Sequence, residues 1–225
     1  MEIQSWIKLF GEKLQKEFGS RLIFFGLQGS YARGEVTENS DIDVVVILDR
    51  ADIDALKRYR ALLEEMPWRE KICGFVSGRR EIAGWTRTEL FQFYQDTYPV
   101  LGRLEELLPP IGMEEARQGV LSGVCGIYHA ACHNFLHERD EELLRGLLKM
   151  ARFTLQAKCF CEKGCYFQRR EELLEHLSPE EGELLKACME WESLSPLDEQ
   201  TFDRLSQQLL DWAGETISAF GGAAE

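Results

Sequence analysis

The sequence has no apolar run near the roughly 18–20 residues that a helix needs to cross a bilayer, so no transmembrane helix is expected. Its N-terminal segment mixes charged residues into the apolar positions and lacks the continuous apolar core of a secretory signal. Seven cysteines, an odd number, are scattered along the chain. Together these features predict reduced thiols and a cytoplasmic protein.

Basic side chains are few, because 26 Lys and Arg stand against 39 Asp and Glu and the formal net charge is −13. A surface of this sign repels phosphates, which disfavours non-specific nucleic-acid binding as the main function. With 44% hydrophobic and 29% charged residues, the composition is that of a folded globular protein. It does not decide between a monomer and a homodimer.

Proline is scarce as well, and two of the six prolines are adjacent, at Pro109-Pro110, shortly before Gly112. Such a sequence interrupts helices and strands alike, so we predict two domains, 1–109 and 110–225. The first has 15 basic and 18 acidic side chains, a net charge of −3. The second has 11 basic and 21 acidic side chains, a net charge of −10.

The two predicted domains differ in their apolar patterns. In the first, helical spacing alternates with short runs of β-forming residues. It predicts helices over 3–18 and 51–66 and buried strands over 22–27, 42–48 and 72–76. The second contains only helical patterns, over 113–137, 140–163, 170–177, 178 onward and 197–220. We expect an α+β protein in which a small mixed-sheet domain is followed by an all-α helical bundle.

The residues between the first two strands carry the chemistry. Asp41 and Asp43 are two residues apart at the start of a strand, so both side chains point to the same face, about 6.5–7 Å apart along it. Paired carboxylates of this kind suit Mg²⁺, which uses one or two of them together with substrate phosphates. Upstream, Gly29 allows close backbone approach to a phosphate, Ser30 offers a hydroxyl and an amide, and Arg33 offers a forked cation.

Each part of this set has an ordinary structural interpretation, because Asp-x-Asp and Gly-Ser occur in many turns. The combination is more specific: Gly29-Ser30, ten intervening residues, Asp41-x-Asp43, and an apolar strand on each side. It meets one catalytic need, which is to grip a triphosphate and to hold a metal ion.

The segment 29–48, GSYARGEVTENSDIDVVVIL, resembles the signature of the DNA polymerase beta-like nucleotidyltransferase superfamily. It is most similar to the minimal and the aminoglycoside-type bacterial members. The resemblance implies that Gly29 and Ser30 bind nucleotide phosphates, with Arg33 close by. It also implies that Asp41 and Asp43 ligate the catalytic metals, two Mg²⁺ ions in the active complex, with ATP or another nucleoside triphosphate as co-substrate.

The chain departs from the family pattern at one point. The family usually carries a third carboxylate on the next strand, but the stretch 71–76 contains no acid. Asp96 is our first candidate for this role because aromatic residues flank it, Glu70 is the second, and Glu81 is the third. The pattern does not choose among them, and the missing acid puts turnover in question more than nucleotide binding.

Two further clusters lie in the predicted helices. His129, His133 and His137 recur at every fourth residue, a spacing that can bind zinc. The neighbouring apolar residues favour instead a partly buried packing role or a substrate-facing one. The set Cys159, Cys161 and Cys165 does not have a usual zinc spacing, and its members are interpreted as packed thiols.

The leading hypothesis is a Mg²⁺-dependent nucleotidyltransferase that transfers a nucleoside monophosphate to a hydroxyl of a small molecule. An aminoglycoside-like polycation suits the acidic second half of the chain. Two alternatives remain open: a modifier of a protein or tRNA partner, and a nucleotide-binding module without transfer activity.

Overall fold

A computed structural model of the protein describes residues 2–38 and 40–222. The chain divides into two compact units, Met1–Ile111 and Gly112–Glu225. The first unit combines a sheet with helices, and the second is entirely helical. The prediction of an α+β protein with a small mixed sheet and a helical bundle is confirmed.

The first unit is built around a four-stranded sheet with the strand order β3-β2-β1-β4. β1 is antiparallel to both of its neighbours, β2 and β4, whereas β2 and β3 are parallel. The elements in chain order are α1 (Ile3–Phe18), β1 (Leu22–Leu27), α2 (Gly29–Arg33), β2 (Ile42–Leu48), α3 (Ile53–Glu64), β3 (Ile72–Gly78), α4 (Arg79–Ala83), α5 (Arg87–Asp96) and β4 (Tyr98–Leu101).

Each face of the sheet has its own core, because successive side chains of a strand point to opposite faces. Phe25 of β1 and Val44 of β2 pack with α1 and α3 on one face. Phe24 and Val45 point to the other face and pack with Leu90 of α5. The central strands β1 and β2 are therefore fixed from both sides, which makes their ends a rigid support for a site.

Two features of this unit were not predicted. The sheet has a fourth strand, β4, where the sequence predicted three strands. This strand is short and lies at the sheet edge, and Pro99 within it cannot donate a ladder hydrogen bond, so its sequence lacks the usual strand signal. Helices α4 and α5, between β3 and β4, were not predicted either.

The second unit is a helical bundle with one continuous apolar core. Its elements are α6 (Met113–His133), α7 (Glu141–Lys163), α8 (Arg170–Leu174), α9 (Pro179–Met189), α10 (Trp191–Leu194) and α11 (Glu199–Phe220). Side chains cap two of its helices, since the Leu143 amide donates to Asp140 over 2.8 Å and Ser178 forms a capping box with Glu181.

The predicted helix over 113–137 is wrong in its last turn. α6 ends at His133, and Asn134–Glu138 forms a wider, π-helical turn. The reason is the buried Asn134 side chain, whose amide donates to the Asp140 carbonyl over 3.0 Å and whose oxygen accepts from the Asp140 amide over 2.9 Å. These bonds draw the chain into the next helix.

Within the described residues, no helix has the length and apolar character that a membrane crossing requires. All seven cysteines lie in this part of the chain and are free thiols. Cys159 is buried, as its packing interpretation predicts, whereas Cys165 is exposed.

Candidate active site

Gly29 begins α2, one residue after Gln28 follows the end of β1, and its backbone lies close to the Asp43 side chain. Its φ of +67° lies in the region that favours glycine. A Cβ at this position would lie 1.9 Å from Oδ2 of Asp43, which is far inside van der Waals contact. Only glycine therefore lets the turn lie against this carboxylate.

Asp43 is the second residue of β2, and Asp41 directly precedes that strand. The Gln28 amide donates to the Asp43 carbonyl over 2.8 Å, which joins the end of β1 to the start of the acid-bearing strand. Asp43 is half-buried, whereas Asp41 is exposed. The structure thus brings Gly29, Asp41 and Asp43 to one end of the sheet, with Ser30 in the first turn of α2.

The electrostatics of the two aspartates reflect their proximity. Burial raises the pKa of the Asp43 carboxyl above its ordinary value, and repulsion from Asp41 raises this pKa further. The Arg33 guanidinium acts in the opposite direction and lowers the pKa of Asp43. The net shift of this pKa is upward, so Arg33 does not offset burial and the repulsion from Asp41 together.

Arg33 lies close enough to influence Asp43, but its side chain is held by Glu35. The Arg33 Nε donates to Glu35 Oε2 over 3.0 Å, and the two side chains are only 10% and 4% exposed. Gly34 between them adopts a left-handed conformation with φ +73°, which turns the chain back. Sequence reasoning missed Glu35, although an Arg-Gly-Glu turn is a signal for such a pair.

Sequence reasoning also missed Gln28. Its side-chain Nε2 donates to Thr97 Oγ1 over 2.7 Å, and the Thr97 hydroxyl donates in turn to the Phe93 carbonyl over 2.5 Å. Together with its backbone bond to Asp43, Gln28 connects β2, β1 and the junction between α5 and β4. These hydrogen bonds therefore hold the chain in place directly before the turn at Gly29.

The three candidates for a further acid lie in different places. Glu70 is exposed and precedes β3 at the Asp43 end of the sheet, since Ile72 pairs with Ile42. The Glu81 carboxylate is adjacent to Gly78, which pairs with Leu48, about 16 Å along the strand from Asp43. Glu81 thus lies at the opposite end of this strand pair.

Asp96 lies at the same end of the sheet as Asp43. Leu27 pairs with Tyr98, so the chain before β4 continues beside Gln28. The Asp96 carboxylate is 8% exposed and accepts a hydrogen bond of 2.5 Å from Gln92. Among the described residues, Asp96 does not form with Asp41 and Asp43 a group of three that could hold a metal ion.

The neighbouring strand offers no carboxylate beside the pair, because Cys73 is the residue in register with Asp43 on β3. Across the described residues, no group of three or more His, Cys, Asp or Glu side chains is placed to hold a metal ion. The donor set is thus two carboxylates. This set fits Mg²⁺ when substrate phosphates supply further oxygens.

His129, His133 and His137 are exposed on the helical unit, so the interpretation of these residues as partly buried packing groups is wrong. The rings of His133 and His137 are 5.0 Å apart. A substrate-facing role for them stays a prediction.

A family model described as a nucleotidyltransferase domain matches residues 7–92, which include the whole turn from Gly29 to Asp43. Residues 7–92 are a nucleotidyltransferase domain. Over this domain, the predicted resemblance to the DNA polymerase beta-like nucleotidyltransferase superfamily is confirmed. The nucleotidyltransferase domain thus comprises the sheet up to β3 and the helices from within α1 to within α5.

One curated relative comes from Methanocaldococcus jannaschii and bears the provisional name of a protein adenylyltransferase. It is 48% identical to this chain over 48 residues, 21% of this chain and 45% of the relative. The match therefore spans less than half of the relative's length.

Two solved structures are similar to the chain. The spectinomycin adenyltransferase AAD(9) from Enterococcus faecialis, determined with ATP and spectinomycin, has a TM-score of 0.58 at 14% identity, over 96% of this chain and 99% of its own. This likeness shows a shared fold. A cyclic dinucleotide synthase, CdnE, from Elizabethkingia meningoseptica has a TM-score of 0.31 at 13% identity, over 97% of this chain and 92% of its own.

Proposed function

We propose that this protein is a Mg²⁺-dependent adenylyltransferase that transfers AMP from ATP to a hydroxyl group of a small-molecule acceptor. The observation that carries the proposal is the close approach of Gly29 to Asp43 at the end of β1 and β2. It places the backbone of the turn that would contact the phosphates directly beside the carboxylate that would hold the metal. The names of the M. jannaschii relative and of AAD(9) both specify adenylyl transfer, which favours ATP over other nucleoside triphosphates.

Asp41 and Asp43 would hold the metal, and the Ser30 hydroxyl and the backbone at Gly29 would contact the phosphates. Mg²⁺ bound there neutralises phosphate charge and lowers the pKa of an attacking hydroxyl. The acceptor oxygen attacks the α-phosphorus in line, the bond to the bridging oxygen breaks, and pyrophosphate leaves with that electron pair. Arg33, held by Glu35, limits the repulsion between the two aspartates.

For proton removal we propose Asp96, which lies at the same end of the sheet as Asp43 and is hydrogen-bonded to Gln92. Such a position suits an acid that acts on the acceptor without ligating metal. Neutralising Asp96, Glu70 and Glu81 in separate variants, with pyrophosphate release measured at several pH values, distinguishes the three.

An aminoglycoside-like acceptor is favoured by the net charge of −10 over residues 110–225 and by the likeness to AAD(9) along nearly the whole chain. The second candidate is a protein acceptor, which the name of the M. jannaschii relative favours.

The test supplies ATP labelled at the α-phosphate, with Mg²⁺, to a panel that includes spectinomycin, and separately to a cell extract. The proposal predicts label on a small molecule and pyrophosphate release. Label retained on a protein band supports the second candidate. ATP binding without release in either arm would instead establish a nucleotide-binding module. The Asp43→Asn variant is the control for background hydrolysis.

A further inference from the structure

Gln28 is hydrogen-bonded to two parts of the first unit at once. Its backbone N–H donates to the Asp43 carbonyl over 2.8 Å, and its side-chain Nε2 donates to Thr97 Oγ1 over 2.7 Å. Gln28 and Thr97 are 69 residues apart in the chain. One residue therefore contacts both the strand that carries Asp43 and the residue that directly follows Asp96.

The Gln28 side chain does not serve the helix that it precedes. Gln28 occupies the N-cap of α2, yet among the residues that the structure describes its side chain makes no capping hydrogen bond. The residues that cap helices well are Ser, Thr, Asp and Asn, whose short side chains reach the amides of the first turn. The longer Gln28 side chain instead reaches a residue that is distant in sequence, so its contribution is to tertiary structure.

The bond from Gln28 to Thr97 strengthens an irregular edge of the sheet. β4 has only four residues, and its register on β1 shifts between Phe25 and Gly26. Pro99 pairs with Gly26 and has no amide hydrogen to donate to the ladder. Such a strand holds the chain that precedes it less firmly than a regular ladder does. The side-chain bond joins β1 and β4 directly beyond their last ladder pair.

The acceptor of this bond is itself held in place. Thr97 is 6% exposed, and its hydroxyl donates in turn to the Phe93 carbonyl over 2.5 Å. The Phe93 ring packs on the sheet, where its centroid lies 5.1 Å from that of Phe75 in β3. The Thr97 hydroxyl thus accepts one hydrogen bond and donates another, and a branched side chain has few rotamers. Its oxygen therefore has a defined position between α5 and Gln28.

The two bonded residues are the chain neighbours of two residues in the proposed mechanism. Gln28 directly precedes Gly29, and Thr97 directly follows Asp96. A general base acts only within about 3 Å of the proton that it removes. A misplacement of about 1 Å can cost on the order of a hundredfold in rate. The position of Asp96 relative to the turn at Gly29 therefore matters for transfer.

We propose that Gln28 is a positioning residue for the transfer reaction. Through Thr97 it holds the junction between α5 and β4, with Asp96, against the turn at Gly29. This inference rests on the proposed function. The backbone bond from Gln28 to Asp43 does not depend on the Gln28 side chain. Loss of the side-chain bond should therefore reduce the rate of transfer more than the affinity for ATP.

The experiment compares two substitutions of the acceptor hydroxyl. Thr97→Val keeps the branched shape and removes the hydroxyl, whereas Thr97→Ser keeps the hydroxyl. Gln28→Met removes the donor at similar length, and the matched control is Gln15→Met on the exposed side of α1. The kcat is measured by pyrophosphate release from ATP and Mg²⁺ with spectinomycin, and the Kd for ATP by calorimetry. Hydrogen exchange of the residue 28 amide needs no turnover, and thermal unfolding verifies the fold of each variant.

We expect kcat at least tenfold lower in Thr97→Val and in Gln28→Met, with the Kd for ATP changed less than threefold. Thr97→Ser should recover kcat to within threefold of the wild type, and Gln15→Met should stay within twofold. The double variant Gln28→Met/Thr97→Val should be no more than twofold slower than either single variant, because all three lack the same bond. The residue 28 amide should exchange at least fivefold faster in Thr97→Val than in Thr97→Ser.

Wild-type kcat in Gln28→Met or in Thr97→Val would overturn the proposal. So would equal losses in Thr97→Ser and Thr97→Val, or a loss of ATP affinity as large as the loss of kcat. A wild type that releases no pyrophosphate with spectinomycin would count against the proposed acceptor. The exchange measurement then decides this inference, since equal exchange of the residue 28 amide in Thr97→Val and Thr97→Ser would overturn it.

Discussion

Asp43 belongs to a strand that is packed on both faces, and Asp41 directly precedes that strand. In the helical unit, by contrast, the carboxylates that line an acidic cavity come from three regions of the bundle, and they are Glu162, Glu180, Glu181, Glu183, Asp211 and Glu215. At the sheet end, the backbone of Gly29 lies against Asp43, so the position of that carboxylate is fixed. In the acidic cavity the charges surround a volume and do not converge on a point.

The difference shows that the secondary structure decides how carboxylates are grouped, close together along one strand or spread over several helices. Two carboxylates at strand spacing and beside a tight turn suit a small hard cation with phosphates. The following predictions test the group at the sheet end.

The largest effect is expected at the metal pair. Asp43→Asn should lower AMP transfer on the order of a thousandfold, because a lost metal ligand removes several kcal/mol of transition-state stabilisation. The matched control is Asp54→Asn, an exposed residue of α3. Its transfer rate should stay within a factor of two, as measured by pyrophosphate release. Comparable losses of transfer rate in both variants would show that the activity does not depend specifically on the carboxylates at the sheet end.

The next effect concerns the close approach of the backbone. Gly29→Ala should cost about 2–4 kcal/mol in free energy of unfolding, and it should abolish transfer because the new methyl displaces Asp43. Gly34→Ala has a similar positive φ but no neighbour within 4 Å, so about 1 kcal/mol is expected there.

Urea unfolding and transfer assays are compared between the two alanine variants. Both variants carry the cost of the left-handed conformation, so the difference between them measures the effect of the overlap with Asp43. If the Gly34 variant loses as much activity as the Gly29 variant, flexibility of the turn, and not its contact with Asp43, controls the site.

A smaller effect is expected at Arg33. Arg33→Ala removes the cation 3.0 Å from a Glu35 side chain that is 4% exposed, so about 2–3 kcal/mol of stability should be lost. The double variant Arg33→Ala/Glu35→Gln should recover part of this loss. Thermal unfolding of the two single variants and the double variant gives the coupling energy, and additive losses would mean that the pair does not interact.

The smallest effect is a pH dependence. Because the pKa of Asp43 is raised in the folded state, folding binds a proton between the unfolded and the folded pKa values. The contribution of Asp43 to stability therefore decreases as pH rises through this interval. At pH values above the interval, Asp43→Asn should raise the melting temperature.

Carbon NMR of the carboxyl groups measures the Asp43 pKa directly. Asp41→Asn should lower the pKa of Asp43 by removing repulsion, and Arg33→Ala should raise it. An unchanged Asp43 titration in Asp41→Asn would show that the two carboxylates do not interact.

Much of the fold followed from the sequence because its signals are local. The strands at 22–27 and 42–48 and the helix starts near 140 and 178 depend on neighbouring residues. β4 did not follow, because a four-residue edge strand with a proline has no such pattern. The π-helical turn after His133 depends on a buried Asn134 side chain that contacts the next helix.

The candidate site divides in the same way. Gly29, Ser30, Asp41 and Asp43 were predicted from their residue types, their spacing and the family resemblance, and the structure gathers them at one sheet end. The partner of Gln28 could not be predicted, since Thr97 directly precedes the edge strand β4. The Glu35 partner of Arg33 was missed, although the Arg-Gly-Glu turn is a signal for it. The acidic cavity could not be found either, because it is assembled from α7, α9 and α11.

The most direct test of the account is calorimetric titration of ATP into the protein with and without Mg²⁺, in the wild type and in Asp41→Asn/Asp43→Asn. We predict Mg²⁺-dependent binding of one ATP per chain in the wild type, and loss of the Mg²⁺ dependence in the variant. Equal Mg²⁺-dependent affinity in the two proteins would contradict the assignment of this carboxylate pair to metal and nucleotide.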